Sequence, residues 1–279
     1  MKHHMKWIKR TAAVLSAVFS IVLLCIFPAA ELSAPGQGTL SGAKQILPPA
    51  PVRIEPVLEH PDFSSQLKAF RAKNRDGRAW LYLPGTDICD EVVQGRDNDY
   101  YLRRSSMRYY YTEHGCYFAD YRNHLNKGDL PDRNTIIYGH NINDDGTKFA
   151  QLMNYENWSF FAEHPYIYLQ TQDQLRVFRV VAAYYTFTDF YYIVLGNSDR
   201  QWANVLEESQ KRSEHLTDLD LPTDGRYITL STCCYKYRYP WGSRRRDQRF
   251  VILGMEIDPE NPPPYTLPHH NPSVKKPTD

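Results

Sequence analysis

A thiol, an imidazole and a guanidinium stand at the ends of three strand-like runs in this chain. Cys233 closes the apolar, β-branched run Tyr227-Ile-Thr-Leu-Ser-Thr-Cys-Cys-Tyr235, Arg249 opens the run that ends at Ile257, and His140 follows Ile136-Ile-Tyr-Gly. A thiolate is both a good nucleophile and a good leaving group. Imidazole moves protons near neutral pH. A guanidinium offers a rigid fork of donors to a developing oxyanion. Together the three suit acyl transfer through a thioester. Singly, each has a plainer reading: a small buried hydrophobe, a satisfied structural histidine and a surface arginine at a strand start.

Several neighbours compete for these roles. Cys234 follows Cys233 directly, but strand alternation puts the two on opposite faces, so only one can meet His140. Arg244, Arg245 and Arg246 compete with Arg249, which is favoured because it leads the strand expected beside the cysteine strand. Ser231 and Thr232 are candidates for orienting the strand end and touching substrate. Tyr184, Tyr185, Tyr191 and Tyr192 read as core and rim aromatics, with Tyr191 and Tyr192 the candidates for lining a peptide groove. A phosphatase loop would need arginine six positions after its cysteine, where Tyr239 and Pro240 stand. A papain-like site would open a helix with its cysteine, whereas here a β-run leads into it. An inactive surface-binding module with structural thiols is the remaining alternative.

The elements that must position these groups come from a chain of 279 residues, 42% hydrophobic, with a net charge of +1. That length supports one sizeable domain with extensions. The balanced charge gives no field for nucleic acid, and no nucleic-acid module is present. The five cysteines make no C-x-x-C pair or zinc spacing, and no acidic cluster argues for calcium, so neither metal nor cofactor is expected. Cys89 and Cys116 read as separate buried thiols, with a disulfide as the alternative.

Lys2, Lys6, Lys9 and Arg10 precede an apolar run from Thr11 to Ala30. About 20 such residues can cross a bilayer, with the basic flank cytoplasmic. Residues 1–30 are therefore expected to form a cytoplasmic tip and membrane anchor, a cleaved signal peptide being the alternative. Residues 31–60, rich in Pro, Ala, Gly and Ser, read as a stalk. Residues 259–279, with Pro262, Pro263, Pro264, Pro268, Pro272 and Pro277, are expected to be a disordered tail.

The domain between, 61–258, reads as mainly β. Strands are expected over Ala79–Leu83, Ile88–Val93, Gly115–Ala119, Thr135–Gly139, Tyr166–Thr171, Leu175–Phe187, Arg226–Thr232 and Arg249–Ile257, separated in many places by turn-forming residues. Eight strands favour a barrel or sandwich. Asp62 is expected to cap a helix that turns Phe63, Leu67 and Phe70 to one face. Helical insertions are expected at Lys148–Tyr155 and at Asp199–His215, the second opened by Ser198 with Gln201 as a capping box. There is no internal repeat.

Thr229-Leu-Ser-Thr-Cys233 resembles the Thr-Leu-x-Thr-Cys signature of sortases. Tyr138-Gly-His140 resembles their histidine motif, and Arg249-Phe-Val-Ile-Leu253 their arginine-led last strand. Ala79-Trp-Leu-Tyr-Leu-Pro-Gly-Thr86, Val92-Val-Gln-Gly95 with Asp97-Asn98 and Tyr100-Tyr101-Leu102, Gly115-Cys-Tyr-Phe-Ala-Asp120 and Tyr121-Arg-Asn123 are similar to class B of that family, as is the late helix. The resemblance spans roughly Pro61 to Asp258. It implies an eight-stranded sortase β-barrel and a cysteine transpeptidase with Cys233 as nucleophile, His140 as proton donor and acceptor, and Arg249 as oxyanion or carbonyl stabiliser. The implied partners are secreted proteins bearing a sorting motif and the amine of a peptidoglycan precursor, or of a pilin in the alternative reading. The implied location is a single-pass membrane protein with its catalytic domain outside the cell. Cys234 is not asked for by the family motif.

Overall fold

The computed structural model describes residues 56–108, 110–125, 132–243 and 245–277. The expected anchor, nearly all of the expected stalk and Arg244 lie outside the described residues. No helix among the described residues is long and apolar enough to cross a membrane.

Twelve strands and three α-helices follow in order among the described residues: α1 (Ser64–Lys73), β1 (Gly77–Tyr82), β2 (Cys89–Val93), β3 (Tyr117–Ala119), β4 (Asn134–Tyr138), β5 (Asn141–Ile142), β6 (Thr147–Lys148), α2 (Trp158–Glu163), β7 (Tyr166–Gln170), β8 (Leu175–Phe187), α3 (Asp199–Arg212), β9 (His215–Leu216), β10 (Tyr227–Cys233), β11 (Gln248–Ile257) and β12 (His269–His270). Eight strands close a barrel in the order β1-β2-β3-β4-β10-β11-β8-β7. The expected mainly β fold is therefore present, each barrel strand lying within two residues of its expected bounds. Lys148–Tyr155, expected as a short helix, is a 3-10 turn over Phe149–Glu156. Asp62 sits one place before the N-cap of α1 and accepts from Ser64 N at 2.9 Å, so the cap position itself falls on Phe63.

Alternation sorts the two faces of the barrel. Ile228 and Leu230 of β10 and Phe250 and Ile252 of β11 point into the main core. Tyr227, Val251 and Leu253 point outward, where Trp202, Val205 and Leu206 of α3 cover them. Strand β8 is apolar almost throughout because both of its faces are buried: Phe178 and Val180 face inward, and Tyr184 faces α3. A register shift opposite Leu253 and Gly254 leaves Val181 without a counterpart and resets the alternation. Ser198 caps α3 by accepting from Gln201 N, as the capping-box pattern predicts.

The proline-rich tail differs from expectation. Contacts made by residues from Pro264 to Lys276 hold the tail against the domain, and β12 pairs with β9. Arg179, 1% exposed, donates to Pro264 O (3.1 Å) and Thr266 O (3.2 Å), with its guanidinium 4.8 Å from the Tyr265 ring centre. Trp158 Nε1 donates to Pro268 O and Tyr265 OH to Ala162 O. Composition misses this because the tail's carbonyls satisfy buried donors on the domain, and prolines keep that acceptor.

Cys89 is exposed rather than buried, and Cys89 and Cys116 are both free. Trp80 Nε1 lies 3.4 Å from Cys89 Sγ.

Candidate active site

Parallel pairing of β4 with β10 and antiparallel pairing of β10 with β11 bring the three chemical groups to one end of the barrel. Ser231 lies beside Tyr138, and Cys233 directly faces Arg249 in register. Opposed residues share a face of the sheet, here the outer one, since the intervening Phe250 and the adjacent Cys234 enter the core. Cys234 is 3% exposed, and burial pushes its thiol up to about 12. Cys233 is half-buried and opens on a cavity of about 300 Å³.

That cavity brings together all seven sequence candidates: Cys233, His140, Arg249, Ser231, Thr232, Tyr191 and Tyr192. Tyr184 and Tyr185 do not line it; their hydroxyls bond Ser209 and Glu156 instead. Arg245 is spent elsewhere, forked onto Asp247 and stacked over Phe187. Arg246 is exposed and does not line the cavity.

Short polar contacts hold the groups in place. Thr232 Oγ1 donates to Gly139 O (2.7 Å), and Gly139 N donates to Ser231 O (3.3 Å), tying the histidine and cysteine segments together. Asn141 Nδ2 donates to Cys233 O at 2.9 Å, fixing the Cys233 backbone from the residue after His140. His140 Nε2 lies 2.5 Å from Leu102 O. A carbonyl only accepts, so Nε2 carries hydrogen there, and a neutral ring then has its lone pair on Nδ1. Gln248 O accepts from Arg249 Nη1 at 2.8 Å, which fixes one arm of the fork. Tyr192 OH and Ser231 Oγ share a hydrogen bond of 2.7 Å; burial raises this phenol to about 12, so it stays protonated.

Asn98, Leu102 and Tyr138 also line the cavity. They stand inside the stretches that resemble the family's motifs, but nothing in their types marks them as site residues. Thr188, Phe190 and Ile193 carried no signal, because the loop after β8 reaches the site only through the fold. Asn141 was likewise missed. Among the described residues no group of three or more His, Cys, Asp or Glu side chains gathers to hold a metal ion. A thiol, an imidazole and a guanidinium on one groove are equipped to attack, protonate and stabilise an acyl carbonyl.

Comparison with known proteins agrees with this fold. Residues 81–256 match the sortase domain family. The chain is 33% identical to sortase B of Listeria monocytogenes over 193 residues, 69% of this chain and 74% of the relative. It is 31% identical to sortase B of Staphylococcus aureus over 169 residues, 60% of this chain and 67% of the relative. Among solved structures, Clostridium perfringens sortase B superposes with a TM-score of 0.60 at 31% identity, covering 68% of this chain and 99% of that one. A Staphylococcus aureus sortase B–substrate complex gives 0.60 at 30% identity, covering 70% and 85%.

Proposed function

The chain belongs to the sortase family, in its class B, and is a cysteine transpeptidase; from that premise we propose that Cys233 is the nucleophile, His140 the proton donor and acceptor, and Arg249 the oxyanion stabiliser. The observation that carries this reading is the direct opposition of Cys233 and Arg249 across β10 and β11, with His140 on the same cavity.

His140 Nδ1 takes the Cys233 thiol proton, and the thiolate attacks the carbonyl carbon of the threonine in a sorting motif of a secreted protein. The oxyanion that forms meets the Arg249 fork. As the C–N bond breaks, His140 gives its proton to the departing amine, leaving a thioester on Cys233. An amine of a cell-wall precursor then attacks the thioester, His140 takes its proton, and the new amide releases Cys233. Ser231, Thr232, Tyr191 and Tyr192 contact the motif. The basic flank and apolar run of residues 1–30 anchor the chain, with the 61–258 domain held outside the membrane by the stalk of residues 31–60.

The test is mass spectrometry of the intact protein after incubation with peptides of the Asn-Pro-x-Thr and Leu-Pro-x-Thr types. The acyl mass is expected on the wild type and on Cys234→Ala, and is expected to vanish from Cys233→Ala. Loss of the adduct in both variants would overturn the assignment.

A further inference from the structure

Beneath the cavity lies a carboxylate that the reaction above does not use. Asp120, immediately after β3, is fully buried, yet it accepts from groups on three sides. Asn98 Nδ2 (3.0 Å) and Tyr138 OH (2.8 Å) donate to its Oδ2. Arg122 takes both oxygens in a fork, Nε to Oδ1 at 2.7 Å and Nη2 to Oδ2 at 2.8 Å. Burial works against this charge, but the hydrogen bonds from Arg122, Tyr138 and Asn98 outweigh it and hold the carboxyl below its usual range.

Arg122 then reaches to the other side of the groove. Its Nη1 donates to Tyr191 OH (3.1 Å) and its Nη2 to Ile193 O (2.9 Å). Asn98, Tyr138, Tyr191 and Ile193 all line the cavity, from the loop after β2, the end of β4 and the loop after β8. Tyr191 is 52% exposed, so apolar packing alone does not pin its ring.

We propose that Asp120 and Arg122 form a clamp that fixes the spacing of the two groove walls, and that they are positioning residues for peptide recognition by this site. Asp120 is rooted in the barrel and orients Arg122; Arg122 carries that rigidity to the wall at 190–193, where Tyr191 is exposed. Neither residue lines the cavity. The clamp therefore acts on how well the peptide is held rather than on the reactivity of Cys233. This inference rests on the groove being the peptide site, as argued above.

Three measurements on the full chain test it. In Arg122→Ala, amide hydrogen exchange at residues 190–194 is expected to quicken, while exchange in β10 stays unchanged. KM for the sorting peptide is expected to rise about tenfold, the scale of one charge-assisted hydrogen bond, with kcat and the alkylation rate of Cys233 within about twofold of wild type. Arg122→Lys keeps the charge but not the fork and is expected to recover only part of the KM. Tyr191→Phe, which removes one exposed hydroxyl and leaves the fold intact, is expected to raise KM modestly and to add nothing to Arg122→Ala. Unchanged exchange at 190–194 overturns the clamp whether or not any peptide turns over. Unchanged KM, or kcat and alkylation falling together with KM constant, overturns its role in recognition. A wild type that forms no adduct while exchange quickens in the variant defeats the Cys233 reading and leaves the clamp standing.

Discussion

Gly115 leaves the space that the His140 ring occupies. A Cβ on Gly115 would lie 2.7 Å from His140 Cδ2 and 2.8 Å from Leu102 O, the carbonyl that receives the imidazole. Its φ of +55° also belongs to the left-handed region that disfavours a side chain. The glycine thus lets the β2–β3 connection pass close enough to deliver both the ring's space and its acceptor.

Gly115→Ala is therefore expected to displace His140 without touching Cys233. Proton transfer by a positioned side chain contributes about 10²–10⁴ in rate, so peptide cleavage is expected to fall at least about 10²-fold. Alkylation of Cys233 by a methanethiosulfonate reagent, followed in parallel, is expected to persist. Near-normal turnover in Gly115→Ala would count against His140 as the proton carrier.

The opposition of Cys233 and Arg249 predicts a different signature for the arginine. Arg249→Ala is expected to lower kcat by about 10²–10³, the usual loss for one oxyanion donor. Arg249→Lys is expected to restore little of it, because a single ammonium cannot reproduce the planar fork. Arg246→Ala, an exposed residue away from the cavity, is the control and is expected to leave single-turnover rates unchanged. If Arg246→Ala were the damaging change, the role would move to it.

The tail has a structural consequence. Truncation after Asp258 removes Pro264 O and Thr266 O from Arg179. Losing two hydrogen bonds to a buried cation is expected to cost about 3 kcal/mol, read as a lower denaturation midpoint with a similar slope. Arg179→Met in the truncated chain is expected to regain part of this. A truncated protein as stable as the full chain would show that the contacts contribute nothing.

Glu208 on α3 couples the tail to pH. Its side chain receives Lys275 Nζ from the tail at 2.6 Å and also pairs with Arg212 and Lys211. Burial raises its carboxyl, but these cations outweigh burial and bring it to about 2 from the ordinary 4.5. The folded value lies below the unfolded one, so this contribution is complete above about pH 4.5 and is lost as pH falls towards 2. Thermal midpoints measured across that window are expected to decline less steeply in Glu208→Gln than in wild type. Parallel curves would remove Glu208 from the acid response.

The barrel strands and the candidate reactive groups are legible in the amino-acid order. Alternating apolar residues announce strand faces, and turn residues punctuate them, because both are local consequences of backbone geometry. Cys233, His140 and Arg249 stand out as candidates because their three segments together resemble the family's motifs, whereas each residue alone has a plainer reading. Tertiary structure decided the rest. Closing the barrel placed β4 between β3 and β10, which put His140 near Cys233 and sent Cys234 inward. It carried the loop after β8 over the groove and aimed Arg122 at Tyr191 across 69 positions of sequence. It also gave the prolines of the tail a buried arginine to satisfy. Those contacts depend on which distant acceptor meets which donor in three dimensions, and no local period or composition encodes that meeting.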